Sequence, residues 1–110
     1  MVYKEIFKEI YTIEIGRNEL ENDTLIKKSS KNSLWFHMKD IPSPHGILTF
    51  PNGISPETIA IYHIATLVKS FSKAKTLSRS TVEYTELSNI KITTKPGLVI
   101  LKKTPKLIVV

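Results

Sequence analysis

The order of strand-like and helix-like segments in this 110-residue chain predicts an α+β fold. We expect a mainly antiparallel or mixed β-sheet of about six strands with two helices packed on one face. Three observations carry that expectation. Tyr11-Thr12-Ile13-Glu14-Ile15 alternates, is rich in β-formers and stops at Gly16, as a half-buried strand does. Between residues 56 and 73, Ala60, Ile61, Ile64, Ala65, Leu67, Val68 and Phe71 share one arc at about 100° per residue. Finally, Pro96-Gly97 and Thr104-Pro105 divide the C-terminal part into short strand-forming runs.

The elements follow in order. Residues 1–10 form an N-terminal extension or edge element, and the first strand is Tyr11–Ile15. Asn18 then caps a short helix over 18–28, with Glu19 and Glu21 near the positive end of its dipole and Lys27 and Lys28 near the other. Two strands, Leu34–Lys39 and Gly46–Phe50, are joined by a turn through Ile41-Pro42-Ser43-Pro44. The long helix is expected to begin at Ser55-Pro56-Glu57, with Ser55 as N-cap and proline in the first helical position. Its opposite side carries Tyr62, Thr66, Lys69 and Lys73. Three more strands are Thr81–Thr85, Gly97–Lys102 and Lys106–Val110, the last two closing as a hairpin around Thr104-Pro105. The stretch from Glu86 to Lys95 reads equally as strand extension or loop. No composition shift divides the chain, so residues 1–110 are read as a single domain.

Composition removes several classes of function. There are no cysteines, so disulfides, thiol catalysis and cysteine-based zinc sites are excluded. The apolar runs are far shorter than a membrane span, and the N-terminus lacks the apolar segment of a signal peptide. A cytoplasmic protein without membrane association is the expectation. The net charge of +6 is unevenly spread. Residues 1–63 hold seven Lys/Arg against eight Asp/Glu, whereas residues 64–110 hold nine against Glu83 and Glu86 alone. Such an asymmetry points to a polyanionic partner.

The most concentrated chemistry lies in Leu34-Trp35-Phe36-His37-Met38-Lys39, followed by Ser43, Pro44 and His45. As a strand it turns Leu34, Phe36 and Met38 to one face and Trp35, His37 and Lys39 to the other. The first face is core. The second is expected to be a surface, although the same spacing would serve a core indole. Arg17 and Asn18 stand where a strand becomes a helix, a place where backbone N–H groups face an anion. Asn22 and Asp23 lie one turn further on. Cations suit phosphate, flat side chains suit unpaired bases, and amides read base edges. The candidate nucleic-acid contacts are therefore Arg17, Asn18, Asn22, Asp23, Trp35, His37, Lys39, Ser43, His45, Lys69, Lys73, Arg79 and Lys95. Catalytic signals are weaker: there is no nucleophile elbow, no phosphate-cradling glycine loop and no histidine pair at metal-ligand spacing. No catalytic residue, cofactor or metal ligand is assigned.

Taken in order, Gly16-Arg17-Asn18 with Asn22-Asp23 and Leu25, then Leu34-Trp35-Phe36-His37, Ser43-Pro44-His45, Ser72-Lys73-Ala74-Lys75, Val82-Glu83-Tyr84-Thr85 and Lys95-Pro96-Gly97, resemble the NFACT-R (NFACT RNA-binding) domain. The resemblance runs from Tyr11 to Val110. It implies an RNA-binding module, best known from large ribosome-quality-control proteins that engage stalled large ribosomal subunits and tRNA. The chain is more similar to the stand-alone members, some of which bind DNA; Tyr84-Thr85-Glu86-Leu87-Ser88-Asn89-Ile90-Lys91 echoes their corresponding segment. The loop before Pro96-Gly97 departs from the large proteins in being shorter and poorer in lysine. The expected function is a non-enzymatic RNA-binding module, with tRNA or rRNA as ligand and the large ribosomal subunit as a further partner. Three alternatives stay open: DNA binding, a protein-interaction adaptor, and an RNA-acting enzyme using His37 and His45.

Overall fold

Alternation along the short apolar runs builds one antiparallel sheet in the computed structural model, which describes residues 1–110. Its strands are β1 (Tyr3–Phe7), β2 (Tyr11–Ile15), β3 (Leu34–Met38), β4 (Gly46–Thr49), β5 (Thr81–Glu86) and β8 (Lys106–Val109). A separate two-stranded ribbon is formed by β6 (Ile90–Ile92) and β7 (Val99–Leu101). The helices are α1 (Glu19–Lys28) and α2 (Thr58–Ser70). The order in the main sheet is β1-β2-β4-β3-β5-β8, so the N-terminal residues do supply an edge strand. The α+β class stands. No helix is long and apolar enough to cross a membrane.

The placement of the helices departs from expectation: they lie on opposite faces. Phe36, Met38, Ile13, Ile15, Leu48 and Val82 pack under α2, which brings Ala60, Ile64, Ala65 and Val68. The approach is close, because a Cβ on Gly46 would stand 2.8 Å from Val68 Cγ2. Trp35 and Ile47, paired across β3 and β4, point the other way. They are covered by Leu25 and Ile26 of α1 together with Leu87 and Ile90, making a second core. Both faces of the central strands carry large apolar side chains, so each face needed its own cover.

Two further expectations are corrected. The C-terminal hairpin around Thr104-Pro105 does not form: β7 folds back on β6, and β8 crosses to the free edge of β5. Asn89, at the end of the 3-10 turn Leu87–Asn89, accepts from the Lys102 N–H at 2.8 Å and ties the ribbon shut before the chain leaves for the main sheet. At the start of α2, the capping position is Glu57, not Ser55, and Pro56 lies outside the helix. The Tyr11 hydroxyl accepts from the Glu57 N–H at 2.9 Å, so a tertiary contact satisfies an orphan donor that the local sequence would have left to serine. In α1 the expected cap forms. Asn18 Oδ1 accepts from the Glu21 N–H at 2.9 Å, and Glu21 Oε1 accepts from the Arg17 N–H at 2.8 Å.

Candidate nucleic-acid interface

Several of the expected contact residues turn out to be scaffold. Asn22 is buried, and its Oδ1 accepts from the His45 N–H at 3.1 Å. The His45 carbonyl in turn accepts from the Gly16 N–H at 3.0 Å. Glycine is required at 16 because an added Cβ would fall 2.1 Å from Asn22 Oδ1. Asp23 Oδ1 accepts from the Gly97 N–H at 3.1 Å and so docks the 93–98 loop, with Lys95, against α1. Ser43 holds the β3–β4 turn, accepting from the Met38 N–H at 3.0 Å and donating to the Pro44 carbonyl at 2.9 Å. Trp35 and His45 are 1% and 2% exposed. On the second face of β3 Trp35 is thus interior, correcting the expectation that it is a surface residue, while His37 stays partly exposed.

Beneath α1 the aromatic residues form a tight triad. The Trp35 indole lies parallel to the His37 ring, with centroids 5.6 Å apart and planes 3° from parallel. His45 meets both rings edge-on, at 5.5 Å and 5.1 Å. Trp35 Nε1 donates to His45 Nδ1 at 3.1 Å. Burial pushes the His45 imidazole down to about 3, His37 adds repulsion, and only the Gly97 backbone opposes the shift. Burial also lowers His37 and raises Glu83. Although His37 Nδ1 and Glu83 Oε1 are 3.9 Å apart, both groups are pushed towards neutrality, and the gap is too long for a hydrogen bond. No group of three or more His, Asp or Glu side chains is placed to hold a metal ion.

What the fold gathers at one end is charge. The C-terminal ends of β2, β3 and α2 and the start of β5 all meet there. Contacts link them: the Lys39 N–H donates to the Thr81 carbonyl at 3.0 Å, and Ser80 exchanges two backbone bonds with Val110. The Arg17 guanidinium lies 4.5 Å from the centre of the Phe71 ring. From this end project Arg17, Lys39, Lys73, Lys75 and Arg79, all exposed. Only Lys39 has an acidic partner, Asp40 Oδ2 at 3.4 Å. Lys69 is turned inward, donating to the Val110 carbonyl at 3.1 Å. Sequence reasoning missed Lys75 and Phe71. A signal was present, since no Asp or Glu occurs between Thr58 and Val82.

Beside this rim, between the β3–β5 surface and the β6–β7 ribbon, lies a cleft of about 190 Å³ bordered by Trp35, His37, His45 and Glu83 on one side and Leu98 and Val99 on the other. A wider depression of about 680 Å³ lies at the far end of the sheet, around Asn32, Asn52, Tyr84 and Lys106.

Comparison with known proteins places the fold in a family. The model of the NFACT protein RNA binding domain matches residues 1–103. The Rqc2 homolog RqcH of Bacillus subtilis (strain 168) is 34% identical over 91 residues, covering 80% of this chain and 15% of that protein. Coiled-coil domain-containing protein 25 of Mus musculus is 34% identical over 87 residues, covering 76% of this chain and 42% of that protein. The structure of the C-terminal part of the fibronectin/fibrinogen-binding protein from Streptococcus suis superposes with a TM-score of 0.86 at 32% identity, over 97% of this chain and 43% of that one. The chain thus spans less than half the length of each of these relatives. With residues 1–103, nearly its whole length, matched by one family model, the chain belongs to the NFACT protein RNA binding domain family.

Proposed function

We propose that this domain binds RNA through the basic end of its sheet, with the sugar–phosphate backbone running over Arg17, Lys39, Lys73, Lys75 and Arg79. The observation that carries the reading is the convergence of these exposed cations from separate chain segments onto one end of the sheet, where only Lys39 forms a side-chain ion pair, with Asp40. Phosphate contacts give affinity and register without sequence preference, and exposed lysines and arginines are suited to that role. Asn18 stands at the same corner with its side chain committed to the helix cap. Lys95, on the loop docked against α1, would extend the surface. Asn22, Asp23, Trp35, Ser43 and His45 act from inside, fixing the turns that present the rim. The ligand we propose is tRNA or ribosomal RNA on the large subunit, in the ribosome-quality-control setting that the family resemblance implies.

A salt series of tRNA binding tests the proposal. The log–log slope should be about −0.7 to −0.9 per phosphate contacted, and Lys73→Ala with Arg79→Ala should flatten it by about 1.5. Binding absent at low salt, or a slope unmoved by the double substitution, overturns the reading. A DNA oligomer of the same sequence measures whether the 2′-hydroxyl contributes.

A further inference from the structure

We propose that the small cleft beside the rim is a slot for one unpaired guanine, read by the Glu83 carboxylate. The inference rests on the rim being an RNA backbone site. Its first support is shape. The cleft holds about 190 Å³, which is room for one flat heterocycle rather than a stacked pair. Leu98 and Val99 form one wall, and the opposite wall ends in the His37 ring laid flat on Trp35. Apolar and aromatic walls facing each other suit the π-face of a base. Leu98, at the mouth, is 52% exposed, an apolar surface that a base would cover.

The second support is chemical. His37 and Glu83 are cross-strand partners on β3 and β5, so both project to the same face of the sheet. His37 Nδ1 stays 3.9 Å from Glu83 Oε1, which leaves the carboxyl without a short contact to that ring. Two accessible acceptor oxygens at the edge of a flat slot call for two parallel donors. Guanine offers them, as N1–H beside the N2 amino group. Adenine and cytosine set a ring acceptor next to their amino group, and uracil flanks one N–H with two carbonyls, so each brings a lone pair towards the carboxylate. Burial disfavours the Glu83 anion, and two incoming N–H donors would restore what it loses. The third support is position. Met38, which precedes Lys39, pairs with Val82, which precedes Glu83, across β3 and β5, so the slot opens next to the rim. A strand whose phosphates sit on the rim can turn one base inwards.

Trp35 is the only tryptophan and borders the slot, so its fluorescence reports occupancy. The probes are the hexanucleotides UUGUUU and UUUUUU, with GMP and UMP as mononucleotide controls. We expect UUGUUU to bind roughly tenfold tighter than UUUUUU and to quench Trp35. Glu83→Gln, which offers one acceptor and one donor, should bring the two hexamers within about twofold of each other without weakening UUUUUU. Glu83→Asp, which withdraws the carboxylate by one methylene, should also reduce the preference. Equal binding of the two hexamers by the native protein overturns the slot while leaving the rim intact. A preference that survives Glu83→Gln overturns the role of Glu83. If neither hexamer binds, the RNA reading fails. The slot is then decided by the mononucleotides: quenching by GMP and not UMP supports it, and no discrimination overturns it.

Discussion

The Trp35 indole N–H donates to His45 Nδ1 across 3.1 Å in the interior between β3 and the β3–β4 turn. This one bond fixes the tautomer of His45, whose proton must sit on Nε2, and orients the plane of Trp35 against His37. Trp35→Phe keeps an aromatic body but strands the Nδ1 acceptor. It should cost about 1–3 kcal/mol from the unsatisfied group, with a further loss from the void left by the smaller ring. Urea unfolding of Trp35→Phe, His45→Gln and the double variant gives the check. The two substitutions should be non-additive by at least about 0.5 kcal/mol, because each removes the same bond.

The burial of His45 makes the fold sensitive to mild acid. Its folded value is about 3, whereas an unfolded histidine titrates near 6.5. The unfolded chain therefore takes up a proton that the folded chain refuses. The stability linked to this group is whole above about pH 6.5 and declines as pH falls towards 3, by up to about 1.4 kcal/mol per pH unit. His37, also lowered by burial, acts in the same direction. Unfolding free energies measured from about pH 7.5 to 4.5 should fall, and His45→Gln should flatten that fall by close to one proton.

The two glycines Gly16 and Gly53 should respond differently to alanine. At Gly16 a Cβ would strike Asn22 Oδ1 at 2.1 Å and the Asn22 backbone nitrogen at 2.9 Å, breaking the turn that carries Arg17. A loss of about 2–4 kcal/mol is expected, combining forced displacement with the disturbed Asn22–His45 bond. Gly53 has φ +83° and nothing within 4 Å of the place an added methyl would take, so only the conformational cost of about 1–2 kcal/mol applies. Thermal unfolding separates the two.

The lysines at 69 and 73 are one helical turn apart in sequence and should differ in kind. Lys69→Met removes the donor to the Val110 carbonyl and should lower stability by about 1 kcal/mol, with little change in the salt slope of RNA binding. Lys73→Ala should do the reverse, because its exposed side chain holds nothing within the domain. Unfolding and binding measured on the same preparations decide it.

How far the sequence could be read depended on whether the forces were local. The Asn18 cap, the α2 stripe and the alternation of β2 and β3 are set by neighbours a few residues apart, and each was legible. The covering of Trp35 was not. A strand shows which side chains share a face but not what arrives on that face, and here the cover comes from Leu25 and Ile26 before it and Leu87 and Ile90 long after it. The same holds for the C-terminal pairing: Thr104-Pro105 has the composition of a hairpin turn, yet the open edge of β5 captured the last strand. The candidate site divided along this line too. Exposed cations such as Arg17, Lys73 and Arg79 could be found from charge, whereas the inward duties of Asn22, Asp23 and Ser43 rest on partners that only the fold supplies.

The strand order has a consequence for how such a domain sits within longer polypeptides. β1 and β8 occupy opposite margins of the main sheet. Five inter-strand steps of about 4.8 Å separate them, or roughly 24 Å across the sheet. In any protein that carries this fold internally, the segment entering and the segment leaving emerge on opposite flanks. The domain then serves as a fixed-width spacer, and the direction in which its basic end points is set by what holds those two flanks.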